Sequence, residues 1–407
     1  MPHFQTGHTG GTKQTAYEIG AYPPAFLEYI WYAAVVYAML GEAWGIVIPS
    51  VGGVVWMLVA IGCFLSVSHY ATQVYAPVGW ALAAGISMLA IELIFHGGEG
   101  ESRAISEGIA IIGWLALLVI VQTLALRPGF LQRFALVAFA IGLASLPYIS
   151  LRGTRAFAIG TGLSNGNVLG MWFGFCTVYF VFWGFQSQKP AWRLAAWTTA
   201  LGCLFMVSIT VSRAPLLAIV LACVVGLRST LKRNFIPLLV LVLLIILVYA
   251  SGTFDEEIGY YVDRGAENSG RDRLWPAALE RILDSPWIGV GLGDIRLKYG
   301  PHKYVMPHNG PLHIALGTGI LPLVCFLAYL FRAGRGALHI FKKDQMGEAA
   351  LLPPLFVYAF MEIMVLDYTF VSPWTVVILG LAARAVYDPT QHYAKLPSRA
   401  RPMAPNE

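Results

Sequence analysis

The sequence predicts an all-α polytopic membrane protein with about twelve transmembrane helices and one long extracytoplasmic loop that contains short amphipathic helices. Composition is the first observation behind this fold class. The 407 residues are 57% hydrophobic and 12% charged, whereas soluble domains average about 25% charged residues. Hydropathy is the second. Its mean is +0.65, and the apolar residues form runs that match or approach the ~30 Å thickness of a hydrocarbon core.

Twelve apolar runs are predicted to span the membrane. The seventh and eighth are the hardest to divide, because a single charge at Arg213 separates them. The predicted spans are 25–40, 44–66, 76–96, 104–126, 134–151, 168–185, 194–211, 214–227, 235–250, 309–331, 349–366 and 369–386.

The polar segments between and outside these runs set the domain organisation. The predicted units are a cytoplasmic N-terminal tail at 1–24, transmembrane helices 1–9 at 25–250, an extracytoplasmic loop with surface helices at 251–307, transmembrane helices 10–12 at 308–386 and a cytoplasmic C-terminal tail at 387–407. Short loops on the side of both termini carry most of the Lys and Arg residues, which orients that side toward the cytoplasm.

The long loop contains a predicted amphipathic helix. Its apolar residues recur at helical spacing and suggest a helix that lies on the bilayer surface. They are Trp275, Leu279, Ile282 and Leu283. Asp284 and the following Ser-Pro end the pattern, and three glycines at 289, 291 and 293 then allow the chain to turn back toward His308.

Charged groups near the apolar runs are the candidate functional residues. Arg213 lies between two spans with almost no loop, and Arg271, Arg273 and His308 are predicted on the same extracytoplasmic side. Guanidinium groups match phosphate oxygens bidentately, and an imidazole can accept a proton near neutral pH. Two other readings stay open: Arg213 can anchor a helical hairpin at the interface, and His308 can cap a helix.

The chain resembles the O-antigen ligase and polymerase superfamily of bacterial membrane proteins. The matching motifs are "SRAP", "SGRDRLW", "DSPWIGVGLGD" and "PHNGPLHIALGTGILPL", with a looser match at "TGLSNGNVLG". They cover roughly residues 150–335. The first four predicted spans add only hydropathy.

The resemblance implies an inverting, metal-independent glycosyltransferase without a cofactor, in the bacterial inner membrane with its active site facing the periplasm. Its donor would be an undecaprenyl-diphosphate-linked glycan. The protein would be surrounded by membrane lipid and would not bind nucleic acid. Carried over by motif, His308 is the base on the acceptor hydroxyl, and Arg213 and Arg271 contact the pyrophosphate. Arg273 is a neighbour of Arg271 in the same motif. Whether Arg271 or Arg273 contacts the phosphate stays open.

Further residues have weaker predicted roles. Asn309 is expected to cap the helix or orient His308, Arg152 and Arg155 to shape the cavity, and Trp275 to stack on sugar or anchor at the interface. No metal site is predicted, because the outer segments offer one acidic run, at 255–257, and lack the paired carboxylates of a cation site.

Three functions are compatible with the sequence. A ligase would transfer the polymer to a lipid A-core acceptor, and a polymerase would use a second lipid-linked repeat unit. The ligase is favoured because the chain is compact and has a single long external loop, whereas polymerases tend to have a second sizeable one. Here the other candidate loop, at 152–167, is short. A lipid or solute transporter is the remote alternative, because the chain shows no pair of matching halves with broken helices.

Overall fold

The structure is a computed structural model that describes most of the chain. The described residues are 22–46, 51–97, 102–152, 155–228, 271–298, 304–342, 347–366 and 372–386. The predicted ninth span at 235–250, both terminal tails and the part of the long loop before Arg271 lie outside these ranges.

Helices make up most of the described residues. The α-helices are α1 Ala25–Leu40, α2 Val51–Ser66, α3 Ala71–Tyr75, α4 Gly79–Ile91, α5 Ser102–Leu124, α6 Phe130–Ser145, α7 Gly166–Gln186, α8 Pro190–Ile209, α9 Arg213–Gly226, α10 Arg271–Asp284, α11 Gly310–Thr318, α12 Ile320–Lys342, α13 Leu352–Leu366 and α14 Pro373–Arg384. Short 3-10 turns lie at Ser68–Tyr70, Ala76–Val78, Leu146–Tyr148, Leu292–Asp294 and Gly347–Leu351, and a π-helical turn lies at Glu92–His96.

Seven described helical segments are long and apolar enough to cross a membrane. They are Ser68–His96, Arg103–Leu124, Phe130–Tyr148, Gly166–Gln186, Pro190–Ile209, Ile320–Lys342 and Glu348–Val365. Shorter apolar helices lie at Ala25–Leu40, Gly53–Ser66, Arg213–Gly226 and Pro373–Arg384. Helical segments long enough to span a bilayer indicate a membrane protein. The total of twelve spans stays a prediction.

The tenth predicted span, 309–331, is wrong as a continuous helix. α11 ends at Thr318, Gly319 adopts a positive φ of 83°, and α12 begins at Ile320. Glycine reaches this conformation without steric cost, which makes it a common helix terminator. The long apolar helix of this region therefore runs from 320 to 342, and α11 is a separate short helix ahead of it.

Two short antiparallel hairpins depart from the all-α prediction. β1 Ile149–Arg152 pairs with β2 Arg155–Ala158, and β3 Leu297–Lys298 pairs with β4 Tyr304–Val305. In β2 the burial alternates, which is the pattern of a strand with one covered face. Four residues of alternation do not stand out beside the apolar run of the preceding helix, so this hairpin was not predicted.

α7 is the central helix of the bundle. Most of its side chains are buried, and it packs against α6, α8, α9 and α13. Glycine permits close approach on this helix, since a Cβ at Gly174 would overlap the Tyr358 hydroxyl of α13. Trp172 of α7 also packs edge-on against Trp374, with ring centroids 5.0 Å apart. α9 packs along α13 beside α7. The start of α9 and the end of α13 position the candidate active site.

A buried ion-pair cluster fastens the opposite end of the bundle. Glu28 of α1 is 1% exposed, and its carboxylate pairs with Arg127 at 2.9 Å and Arg133 at 2.7 Å. The Tyr32 hydroxyl donates to the same carboxylate at 2.7 Å. A buried carboxylate requires this degree of compensation, and the cluster joins α1 to the start of α6.

Candidate active site

Arg213 is the first residue of α9 and follows a strained turn. α8 ends at Ile209, and Val211 has a positive φ of 49° before Ser212 returns to an extended conformation. A β-branched residue with positive φ is a steric outlier that the surroundings must stabilise. Val211 and Ser212 are buried, whereas Arg213 is exposed. The turn therefore directs a guanidinium outward from a buried backbone.

A hydrogen-bond network holds this turn against the β1–β2 hairpin. Arg155 of β2 donates from Nε to the Thr210 carbonyl at 3.2 Å and from Nη2 to Asn167 Oδ1 at 3.0 Å. The Ser212 hydroxyl donates to the same Asn167 oxygen at 3.0 Å. Asn167 therefore joins the start of α7 to both the hairpin and the residue before Arg213.

Arg271 begins α10 and is held against the end of α13. Its Nη2 donates to the Val365 carbonyl at 2.8 Å, while its Nε is buried with no hydrogen-bond partner among the described residues. Burial lowers the pKa of the Arg271 guanidinium, and the nearby charge of Arg213 lowers it further. Two guanidiniums from different helices thus lie within electrostatic range, an arrangement that a bound anion would stabilise.

His308 and Asn309 form the start of α11. Asn309 caps this helix, since its Oδ1 accepts from the Leu312 backbone N–H at 3.0 Å and its Nδ2 donates to the Met364 carbonyl at 3.0 Å. His308 is half-buried with a positive φ of 52°. Histidine reaches this conformation more readily than most residues, but it remains uncommon. Asn309 has the capping role predicted for it.

The last turn of α13 contacts the starts of both α10 and α11. Its neighbouring carbonyls at Met364 and Val365 accept from Asn309 and Arg271 respectively. The final carbonyls of a helix have no partner within the helix, so they are available for such contacts. The same turn therefore anchors the arginine of α10 and the residue that follows His308.

Trp275 adds a second connection between α10 and His308. Its indole Nε1 donates to the Pro307 carbonyl at 3.0 Å, and its ring is 36% exposed. On α10 the buried residues are Leu274 and Ala278, while Leu279 and Leu283 are exposed. Of the apolar stripe predicted to face the bilayer, Leu279 and Leu283 therefore lie outside the packed core, whereas Ile282 packs against it.

The break between α11 and α12 is filled by the loop that follows α10. Val290 N–H donates to the Leu316 carbonyl at 2.8 Å, and Ile320 N–H donates to the Pro286 carbonyl at 2.8 Å. Backbone groups freed by a helix break in an apolar region must find partners elsewhere. A Cβ at Gly289 would lie 2.6 Å from the Leu316 carbonyl oxygen, so glycine permits this close approach.

Charged residues at the ends of α4 and α5 fix the same loop. The Glu92 carboxylate accepts from the Leu292 N–H at 2.8 Å, and Arg103 donates to the Gly293 carbonyl at 3.3 Å. Sequence reasoning found no role for these contacts, because they join segments about 200 residues apart. Their signal in the sequence is the placement of ionisable residues at the ends of apolar runs.

Arg273 and His313 differ in burial, and both are described by the structure. Arg273 is exposed, two positions and so about 200° around α10 from Arg271. The Arg152 side chain lies outside the described residues. His313 is buried on α11, with its Nε2 4.0 Å from the Glu107 carboxylate. Within the described residues, no group of three or more His, Cys, Asp or Glu side chains could hold a metal ion.

The segment from α8 to α12 contains Arg213, Arg271 and His308, and it can be compared with known families. Residues 198–327 match the family model for O-antigen ligase. The match covers about a third of the chain and includes Arg213, Arg271 and His308. It confirms the resemblance to the O-antigen ligase superfamily and supports a function of the ligase or polymerase type. No curated protein gives a significant match to the chain.

Proposed function

We propose that the protein is an O-antigen ligase that transfers a glycan from undecaprenyl diphosphate to a hydroxyl group of a lipid A-core acceptor. The observation that carries this proposal is the pairing of Arg213 and Arg271 beside the element that bears His308. Two guanidiniums are a suitable receptor for a diphosphate, because each can donate two parallel hydrogen bonds to phosphate oxygens.

In the proposed reaction the arginines stabilise the leaving group. As the bond between the anomeric carbon and the diphosphate oxygen breaks, negative charge grows on that oxygen, and both electrons of the bond stay with the departing undecaprenyl diphosphate. Fixed positive charges aimed at developing negative charge lower the barrier. The buried Nε of Arg271, which lacks a described partner, is a donor available for this role.

His308 is proposed as the general base. Its imidazole takes the proton from the acceptor hydroxyl while that oxygen attacks the anomeric carbon from the face opposite the diphosphate, so the configuration inverts. The hydrogen bonds of Asn309 to Met364 and to its own helix fix the backbone next to His308, and a fixed base is an effective one.

The proposed setting is the inner membrane, with both termini in the cytoplasm and the site at the periplasmic face. The Lys and Arg asymmetry of the short loops supports this orientation. The contacts of Arg271 with the end of α13 place it at the end of a candidate span rather than in its middle. A lipid diphosphate held in the outer leaflet presents its headgroup at that depth.

Transfer by the purified protein tests the proposal. Wild type should release undecaprenyl diphosphate when both donor and acceptor are present, and His308→Asn should not, although it should still bind the donor. Asparagine tolerates the left-handed backbone of His308 but cannot act as a base. His69→Ala removes an exposed imidazole elsewhere and should transfer normally. Transfer by His308→Asn at the wild-type rate would refute the role of His308.

The polymerase is the second candidate, and it uses the same site with a different acceptor. Deletion of the gene in its host separates the two. Unattached polymer with a bare core indicates a ligase, whereas a core that carries one repeat unit indicates a polymerase. Counterflow of a solute without bond cleavage would support the transporter instead.

A further inference from the structure

The segment that leads to His308 has an outer face with two cations. Along residues 295–298 the burial alternates, since Ile295 and Leu297 are buried whereas Arg296 and Lys298 are exposed. The two buried residues pack in a small core with α10 and α11. Successive side chains of an extended segment point to opposite sides, so the two cations share the side that faces away from this core.

Tyr304 lies on the same side of the β3–β4 hairpin. It is the partner of Lys298 in the antiparallel pair, and it is 57% exposed. Residues directly opposite each other on antiparallel strands point to the same side, so the phenol ring and the ammonium group are neighbours. A tyrosine combines an apolar ring with a polar hydroxyl, which suits contact with a sugar. Arg296, Lys298 and Tyr304 together are called the hairpin face.

Asp294, the acidic residue nearest to the hairpin face in the sequence, is already paired. Arg281 of α10 has its Nη2 3.3 Å from the Asp294 Oδ2, and its Nη1 donates to the backbone carbonyls of Asp294 and Arg296 at 3.1 and 3.3 Å. These contacts fix the backbone of the cationic segment to α10. Within the described part of the chain, neither Arg296 nor Lys298 forms an ion pair. The hairpin face therefore presents two positive charges that no described carboxylate neutralises.

The hairpin face lies close to the candidate base. Tyr304 precedes His308 by four residues, so their Cα atoms are at most about 14 Å apart even if the chain between them is fully extended. Between them, the Pro307 carbonyl accepts from the Trp275 indole of α10 at 3.0 Å. The same helix therefore fixes both the hairpin and the residue before His308. A short oligosaccharide can reach from the hairpin face to the base.

We propose that the hairpin face binds a phosphate group on the saccharide of the acceptor. This rests on the proposed function, which assigns Arg213 and Arg271 to the diphosphate of the donor and His308 to the acceptor hydroxyl. Guanidinium and ammonium groups both bind phosphate oxygens, while the phenol ring of Tyr304 packs on the sugar that carries them. The hairpin face thereby selects, as acceptor, a saccharide with a phosphate group a few sugar residues from the hydroxyl that reacts.

Binding of two forms of one saccharide tests this proposal without any turnover. The probes are a phosphorylated core oligosaccharide released from lipopolysaccharide by mild acid and the same oligosaccharide after removal of its phosphate groups with hydrofluoric acid. Wild type should bind the phosphorylated form about threefold to twentyfold more tightly, the range expected for two exposed ion pairs. This preference should disappear as the salt concentration is raised, because salt screens exposed charges.

A double substitution and a matched control locate the effect. Arg296→Gln with Lys298→Gln should bring the affinities for the two oligosaccharides to within about twofold of each other. Lys189→Gln with Arg193→Gln removes the same two charges from exposed positions at the start of α8 and should retain the wild-type preference. Tyr304→Ala should weaken the binding of both forms. Melting temperatures in detergent establish that the variants are folded.

Two results of the binding assay would overturn the assignment. One is equal affinity of wild type for the two oligosaccharides, and the other is an unchanged preference in the double variant. Loss of the preference on addition of phosphatidylglycerol vesicles, but not of phosphatidylcholine vesicles, would also overturn it, because an ordinary anionic phospholipid would then be the occupant.

Kinetics separate this proposal from the proposed function. Failure of wild type to transfer glycan would refute the proposed function and would leave the binding results unchanged. In a protein that transfers, the double variant at 296 and 298 should raise the KM for the phosphorylated acceptor and keep kcat near the wild-type value, because the hairpin face does not touch the reacting atoms. A loss of kcat with an unchanged KM would overturn the acceptor role.

Discussion

Arg213 lies close enough to Arg271 for its positive charge to lower the pKa of the Arg271 guanidinium. The two residues come from different helices: Arg271 of α10 is held by the Val365 carbonyl of α13, and Arg213 follows the turn at Val211. Like charges held together in this way are unfavourable until an anion binds between them. The predictions below follow from that arrangement and from the contacts that maintain it.

Arg271→Ala should raise the KM for the donor by about tenfold to a hundredfold, since hydrogen bonds to charged groups contribute roughly 1.5–3 kcal/mol. Arg271→Lys should recover little of this loss, because an ammonium cannot form the bidentate contact. Arg273→Ala should have a smaller effect, because that side chain points away from Arg271 on α10. Steady-state kinetics with varied donor concentration measure all three. An equal KM effect at 273 and 271 would mean that the exposed arginine also meets the diphosphate.

Asn309→Ser should preserve the cap of α11 but lose the hydrogen bond to Met364. We expect a near wild-type melting temperature and a lower kcat, because the backbone at His308 is no longer held against α13. Asn309→Ala should lose the cap as well, at a cost of about 1 kcal/mol of stability. Thermal unfolding in detergent and single-turnover rates separate the two contributions. A normal kcat in Asn309→Ser would show that the contact with Met364 does not position the base.

Asn167→Ala should disconnect Arg155 and Ser212 from each other and loosen the turn that precedes Arg213. Donor affinity should fall although Asn167 itself is not proposed to touch the donor. Asn167→Asp retains an acceptor oxygen for both donors and should restore affinity, because a carboxylate accepts from a guanidinium more strongly than an amide does. Titration of donor binding measures the difference. Equal affinity in the Ala and Asp variants would assign the network a purely structural role.

Gly319→Ala should destabilise the protein. The residue has a φ of 83°, and a Cβ would overlap the backbone of Trp287. The combination of this φ with a ψ of −170° is a region that glycine almost alone adopts, and it costs another residue about 1–3 kcal/mol, to which the overlap adds. Gly108→Ala in α5 is the control, because a Cβ there meets no atom within 4 Å, and helix propensity predicts a gain of about 0.5–1 kcal/mol. Melting temperatures of the two variants should move in opposite directions.

Hydropathy was sufficient to predict the apolar helices of the described chain. It placed the division between α8 and α9 at Arg213, where the structure has it. It did not reveal the break at Gly319, because isolated glycines occur in many apolar helices without ending them. The partner that makes this break stable is the stretch at 286–291, which belongs to the long loop and whose docking no local pattern encodes.

Candidate site residues could be predicted from the sequence where the side chain itself supplies the charge or the titratable group. Arg213 and His308 are charged or titratable groups at the ends of apolar runs, where such groups are costly and therefore informative, whereas Arg271 lies in the long loop and was found through the motif that resembles the family. The residues that position them were harder to find. Met364 and Val365 act through backbone carbonyls, which any residue possesses, and Asn167 acts through contacts with a hairpin that the sequence did not reveal.

The hydrogen bonds across the break at Gly319 have a consequence for turnover. They join the segment after α10 to both α11 and α12. The end of α13 holds Arg271 at the start of α10 and Asn309 at the start of α11. For the proposed transfer, these contacts hold the arginine and the proposed base in place before substrate binds, so little binding free energy is needed to assemble them. We expect the exchange of two bulky lipid-anchored molecules, rather than closure of the protein around them, to limit the rate of successive reactions.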